Sequence, residues 1–186
     1  RIMAALHGSD VPVPRVLHLC EDASVIGTSF YVMEHVQGRL FKDLTLPELA
    51  SSERHAIYEE LARVMAALHT VDYRALGLSD YGKPGNYYAR QISRWTQQYE
   101  ASKTEPLAAM DALIAWLPTH IPGDESSAIV HGDFRLDNVI FHPTEPRILA
   151  VLDWELSTLG HPLVDFAYHC MTWRLSPDQF RGINGY

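Results

Sequence analysis

One octapeptide holds most of the chemistry this sequence can do: His131-Gly132-Asp133-Phe134-Arg135-Leu136-Asp137-Asn138. It lies between two short apolar runs, Ala128-Ile129-Val130 and Val139-Ile140-Phe141. Asp133 is therefore a carboxylate in a loop, and Asn138 an amide where that loop re-enters a strand. A third apolar run, Ile148 to Leu152, leads into Asp153-Trp154-Glu155. If the last two runs pair, Asn138 and Asp153 converge at one end of a hairpin. Hard oxygen donors with open positions beside them suit Mg²⁺ held jointly with phosphate oxygens and water. Three polar groups at strand ends beside apolar runs are also costly to bury unless a metal or ligand satisfies them.

Positioning these groups takes strands and helices, and the periodicities supply both. Residues 1–7 read as a helix end stopped by Gly8, and Val11-Pro12-Val13-Pro14 must be extended. Arg15 to Cys20 alternates as a half-buried strand does, and Phe30 to Met33 reads as its hairpin partner. Ile57, Leu61, Val64, Met65 and Leu68 fall at helical spacing, with Ser51 or Ser52 as cap and Glu53 in the first turn. Residues 71–86 form a loop rich in Gly, Asp and Pro. Tyr88, Ile92, Trp95 and Tyr99 share one face of a further helix. Pro106 opens another, with Leu107, Met110, Leu113, Ile114 and Leu117 inward, and Pro118 ends it. The three later apolar runs read as one small antiparallel set. A final helix from near Pro162 is expected to bury Leu163, Phe166, Ala167 and Cys170. Strands, helices, strands, then helix is α+β rather than alternating βαβ.

At 186 residues and 47% apolar, the chain can build a real core: one domain, or one large lobe with a piece of another. Its 15 Lys and Arg are scattered among 23 Asp and Glu, which excludes the clustered basic surface a nucleic-acid partner needs. No apolar run is long enough for a membrane span, and no leader peptide is visible. Cys20 and Cys170 lie far apart in unlike contexts, which points to free thiols in a reducing, cytoplasmic setting. The chain opens on Arg1 within a helix-like run and stops abruptly at Tyr186, so both natural termini are expected to lie beyond it.

With H-G-D-x-x-x-x-N matched by His131-Gly132-Asp133 and Asn138, and Leu152-Asp153-Trp154-Glu155 following, the chain resembles the aminoglycoside and choline kinase family, a branch of the protein-kinase fold. More narrowly, it is similar to the kinase-like domain fused to, or encoded near, some acyl-CoA dehydrogenases. That likeness rests on residues 131–138, on Val151 to Gly160, and on Asp80-Tyr81-Gly82-Lys83. The resemblance implies a truncated kinase-like fold: a remnant of the nucleotide-binding lobe and hinge over residues 1–37, and a catalytic and substrate lobe over 38–186. It implies ATP and Mg²⁺, with Asp133 as catalytic carboxylate and Asn138 and Asp153 as metal ligands. His131 becomes a structural member of the loop. Tyr31 to Gly38 resembles the hinge, where the Glu34 carbonyl and Val36 amide, just after Met33, would contact adenine. Asp165 would brace the catalytic-loop backbone. His161 stands where many relatives carry Asp. The family's Gly-rich loop and strand Lys do not appear and are expected before Arg1, so these residues alone should bind ATP poorly. The implied acceptor is a hydroxylated metabolite, a hydroxyacyl-CoA or hydroxy acid more than an aminoglycoside, and the implied partner an acyl-CoA dehydrogenase.

Each sharp reading has a plain counterpart. His131 and Asp133 have zinc-ligand spacing but no Cys or second His nearby. His7, His18, His35, His55, His69, His120 and His142 are scattered singly and read as surface or satisfied core groups. Trp95 and Tyr99 could line a cleft, but at helical spacing they read as core. Arg90 and Arg94 could hold a phosphate or simply form a solvated face. Cys170 reads as buried and inert, and Arg135 and Asp137 as a local pair. Beside the active kinase stand two other functions. One is a catalytically inactive kinase-fold module that scaffolds a dehydrogenase, told apart by whether a strand Lys precedes Arg1. The other is a metal-dependent hydrolase, which would gather more His and Asp ligands.

Overall fold

The computed structural model describes residues 1–83, 85–124 and 126–186; Pro84, in the expected 71–86 loop, lies outside them. Helix α1 (Ile2–Leu6) is followed by Gly8 at φ +86°. Strands β1 (Val16–Cys20) and β2 (Phe30–Met33) pair antiparallel, with Cys20 opposite Phe30. Helix α2 (Ser51–Thr70) is the spine of the core and buries Ile57, Leu61, Val64, Met65 and Leu68, the stripe its periodicity predicts. Neither serine caps it. Ala50 occupies the N-cap, and Glu53 reaches back to accept the Ala50 N–H at 3.1 Å.

The three later apolar runs all become strands, but they do not form one set. Strand β4 (Val139–Phe141) pairs antiparallel with β5 (Ile148–Val151). Strand β3 (Ala128–Val130) instead pairs with β6 (Thr158–Gly160), which the sequence reading did not anticipate. The octapeptide after β3 is a loop, not a tight turn, so it carries β4 away from β3. Both β3 and β5 pack on α2, which joins the two small sheets through one core.

The other helices form where expected but face differently. In α3 (Tyr87–Ser102) Trp95 is exposed and Tyr99 half-buried, so neither is core. Helix α4 (Ala108–Trp116) leaves Leu107 and Leu113 exposed and Met110, Ile114 and Leu117 half-buried, and Pro118 sits within a following 3-10 turn. In α5 (Leu163–Met171) the one buried residue is Asp165; Leu163, Phe166 and Ala167 are exposed and Cys170 is half-buried. Helical spacing shows that an apolar stripe exists, not that these residues cover it. Among the described residues no helix is long and apolar enough to cross a membrane.

Candidate active site

Strand β3 delivers the chain to His131, and Gly132 turns it at φ +84°, where a side chain is strained. A Cβ on Gly132 would also sit 2.9 Å from the Leu156 carbonyl oxygen. Asp165, 1% exposed, holds this turn from α5: Oδ2 accepts the His131 N–H and Oδ1 the Gly132 N–H, each at 2.8 Å. His69 Nε2, from the end of α2, lies 2.9 Å from the same Oδ2. A buried carboxylate is tolerable because each oxygen has a donor. Asp165, singled out in the sequence, thus hydrogen-bonds the backbone of the turn before Asp133. His69, read as an ordinary histidine, was missed; its sole signal is its place beside the buried Leu68 at the end of a periodic helix.

His131 is buried and spends both ring nitrogens on backbone. Nδ1 accepts the Asp133 N–H at 3.2 Å and Nε2 donates to the Leu152 carbonyl at 2.8 Å, a tautomer inferred from those partners. Its ring packs on Trp154, centroids 4.7 Å apart. Burial pushes its pKa below the ordinary value, which keeps it neutral. A histidine so engaged has no nitrogen left for zinc.

Asp133 is gripped from two sides. Its Oδ2 accepts Asn138 Nδ2 at 2.9 Å, and that amide also donates to the Asp133 carbonyl. Its Oδ1 lies 2.9 Å from Arg135 Nε, although the N–H is not aligned with it. Arg135 Nε is also 3.6 Å from Asp137 Oδ1, and Asp137 Oδ2 accepts Arg181 at 2.6 Å. The expected local pair is thus part of a longer row: Asp133, Arg135, Asp137, Arg181.

Pairing of β4 with β5 puts the Leu152 N–H on the Asn138 carbonyl at 2.8 Å, so Asn138 and Asp153 stand at the same end of that hairpin. Asp153 has left-handed backbone, φ 63° and ψ 55°, which costs a non-glycine residue about 1–2 kcal/mol. Trp154 pins it from behind through Nε1 to the Val151 carbonyl at 2.9 Å. The exposed Asp153 carboxylate and Asn138 Oδ1 accept no hydrogen bond among the described residues. These two free oxygen donors fit Mg²⁺ completed by phosphate and water. No cluster of three His, Cys, Asp or Glu that would form an all-protein cage occurs among the described residues.

In the segment expected to be the hinge, Met33 ends β2 and the Glu34 N–H donates to the Arg15 carbonyl at 2.9 Å. The Glu34 carbonyl and Val36 N–H make no hydrogen bond among the described residues, so a donor and an acceptor two residues apart stand open. Beyond them Arg39 exchanges two backbone hydrogen bonds with Phe141, each 2.8 Å. Gly38 is required there, since a Cβ would fall 2.2 Å from the Phe141 oxygen. The Asp80–Lys83 motif packs on the Asp153 motif: the Tyr81 hydroxyl bonds Ser157, and a Cβ on Gly82 would meet Leu159 N at 2.6 Å. Arg90 is used on the Lys83 and Gly85 carbonyls, which favours a structural role. Buried His161 lies 3.3 Å from Asp124 and packs on Tyr88.

The sequence profile described as the phosphotransferase enzyme family matches residues 1–184. The chain is 51% identical over 186 residues to acyl-CoA dehydrogenase family member 10 of Mus musculus, covering all of this chain and 17% of that protein. It is 63% identical, with a TM-score of 0.95, to a Ralstonia eutropha JMP134 crystal structure provisionally named an aminoglycoside phosphotransferase, covering 99% of this chain and 56% of that one. A thermostable mutant of aminoglycoside phosphotransferase APH(4)-Ia, solved with ADP and hygromycin B, shares the fold at 24% identity and a TM-score of 0.68, over 94% of this chain and 60% of that one. The chain thus spans only part of each protein it matches.

Proposed function

Because the chain belongs to the phosphotransferase enzyme family and has its protein-kinase-like fold, we propose that it moves the γ-phosphoryl group of ATP to a hydroxyl of a small metabolite, with Mg²⁺. Residues 1–37 then serve as lobe remnant and hinge, and 38–186 as the catalytic and substrate lobe. The observation that carries this reading is one junction: Asp133 and Asn138 share a hydrogen bond of 2.9 Å, and Asn138 and Asp153 stand at one hairpin end.

The transition state of phosphoryl transfer is loose, so a protein contributes position and charge more than covalent chemistry. Asp133 accepts the hydrogen bond of the acceptor hydroxyl and points its oxygen at the phosphorus. The Asn138 amide fixes the carboxylate while leaving Oδ1 for the metal. Asp153 would supply the metal's carboxylate; Mg²⁺ held there would supply positive charge to offset that of the phosphates. The Glu34 carbonyl and Val36 N–H receive the adenine edge beside Met33. His131 and Asp165 touch neither substrate; they hold the loop's backbone. A neighbour of the same fold solved with ADP supports the nucleotide. A 51% identical relative named as an acyl-CoA dehydrogenase family member supports a hydroxyacyl-CoA or hydroxy acid as acceptor, and a dehydrogenase as covalent or bound partner.

The test is a phosphate-transfer screen of the full-length protein against hydroxyacyl-CoAs, amino alcohols and aminoglycosides. Transfer to a hydroxyacyl acceptor is expected. Asp133→Ala should lower kcat by about 10²–10⁴-fold and leave ATP affinity near that of the wild type. An equal loss of ATP binding would make Asp133 structural, and no transfer to any acceptor would remove the reading.

A further inference from the structure

The Asp133 carboxylate has one short, aligned side-chain donor among the described residues. Asn138 Nδ2 donates to Oδ2 at 2.9 Å, whereas Arg135 Nε lies as close to Oδ1 but does not point at it. An ionised carboxylate has about four lone-pair sites, so a second donor can join and still leave room for an acceptor hydroxyl. Asn138 is also one of the two residues assigned above to Mg²⁺. A carboxylate held by that amide alone would move whenever an ion drew on Asn138. A hold from a different element would keep it still.

Helix α5 supplies one. Asp165 on this helix already fixes the backbone just before Asp133, accepting the His131 and Gly132 N–H groups at 2.8 Å each. Tyr168 follows Asp165 by three residues, so the two project from one face of the helix. It is half-buried and lines a narrow crevice with Phe134 and Arg135, the two residues just after Asp133, and with Arg181. Asp133 thus lies between a stretch tied to Asp165 and a stretch bordered by Tyr168. Three charged groups face the phenol: Asp133 and Arg135 from the loop, and Arg181 from the segment after α5. Burial pushes its pKa up; the Asp133 charge and hydrogen bonding to that carboxylate push the same way, against the two guanidinium groups. A phenol so raised keeps its proton at neutral pH and can donate it. Hydrogen bonds at a catalytic group often tighten only once substrate is in place.

Resting on the phosphotransfer reading, we infer that Tyr168 is a positioning residue for Asp133: its hydroxyl donates to the carboxylate and keeps it aimed at the acceptor hydroxyl, from a helix that carries neither proposed metal ligand. In this role Tyr168 acts through Asp133 rather than on the substrate.

Two measurements on the full-length protein test this. The first needs no turnover. A 3-fluorotyrosine placed at position 168 gives a ¹⁹F signal that reports ionisation of that phenol alone. Asp133→Asn should lower its pKa by about one unit, the effect of a neighbouring charge; a titration indifferent to Asp133→Asn overturns the inference. The second uses ATP and a short-chain hydroxyacyl-CoA. Tyr168→Phe keeps the ring and removes the hydroxyl, so kcat should fall about 10–100-fold, the range for a hydrogen bond to a charged group, with KM for ATP unchanged. In an Asp133→Ala background the same substitution should cost nothing further, because its target is gone. An unchanged kcat, or an equal loss in both backgrounds, overturns the inference. Should Tyr168→Phe not fold, the ¹⁹F titration decides alone. Transfer that Tyr168→Phe leaves intact removes this role only, whereas no transfer by wild type to any acceptor removes the phosphotransfer reading and the role with it.

Discussion

Two side chains of the candidate site carry a physical cost in the folded chain, backbone strain at Asp153 and burial of a titratable ring at His131. Asp153 sits at φ 63° with an exposed carboxylate and no hydrogen-bond partner among the described residues. Strain of this kind persists where surrounding structure over-determines it, as Trp154 does here. Asp153→Gly should therefore be as stable as wild type or up to ~1 kcal/mol more stable, while losing Mg²⁺-dependent nucleotide binding. Urea denaturation and a Mg²⁺ titration of ATP binding read the two effects separately; a large loss of stability would contradict the strain argument. His131 is the second case. Burial lowers its folded pKa, so below the ordinary value of about 6.5 the unfolded chain binds a proton that the folded chain refuses. Its share of stability is thus present above that value and lost as pH falls below it. His169, also lowered by burial, adds in the same direction. The denaturation midpoint should drop between pH 7.5 and 5.5, and His131→Asn should flatten that drop.

At the scale of elements, α5 matters less for what it packs than for the one carboxylate it carries inward. Asp165→Ala would leave the His131 and Gly132 N–H groups without their acceptor and should cost about 3–5 kcal/mol. Thermal unfolding measures that loss, and activity should fall with it as the loop loosens. The elements themselves were largely legible. Alternation marked β1, a short aromatic and apolar run marked β2 as its hairpin partner, the Ile57 to Leu68 stripe marked α2, and the apolar runs marked β3, β4 and β5. Strand β6 was not legible, because three residues ending in Gly160 are too few for a period. Gly160 is there for contact, since a Cβ would meet the Tyr87 ring at 2.6 Å. The site was readable where a motif fixes spacing, at Asp133, Asn138 and Asp153. It was not readable where tertiary contact decides: His69 and Arg181 reach the loop from distant segments with no local pattern to announce them.

Over the whole molecule, apolar side chains are spent unevenly. The core around α2 is fully buried, while Trp95, Trp116, Leu163, Phe166 and the outer residues of the β1–β2 hairpin are exposed. Exposed apolar side chains gathered on one element favour association. Replacing Leu163 and Phe166 by Ser should change stability by about 0.5 kcal/mol or less, as surface substitutions do, and should reduce concentration-dependent association of this chain in sedimentation. A stability loss far beyond that would mean the α5 face is packed in solution.

The paired hydrogen bonds between Arg39 and Phe141 stitch the exit of the hinge to β4, whose first residue directly follows Asn138. Any swivel between the two ends of the cleft is therefore confined to the few residues between Met33 and Gly38, because everything after them travels with the strand behind Asn138. Were a base to dock against that short stretch and an ion at Asn138, as proposed, both would act on the same piece of backbone, and tightening one would be felt by the other.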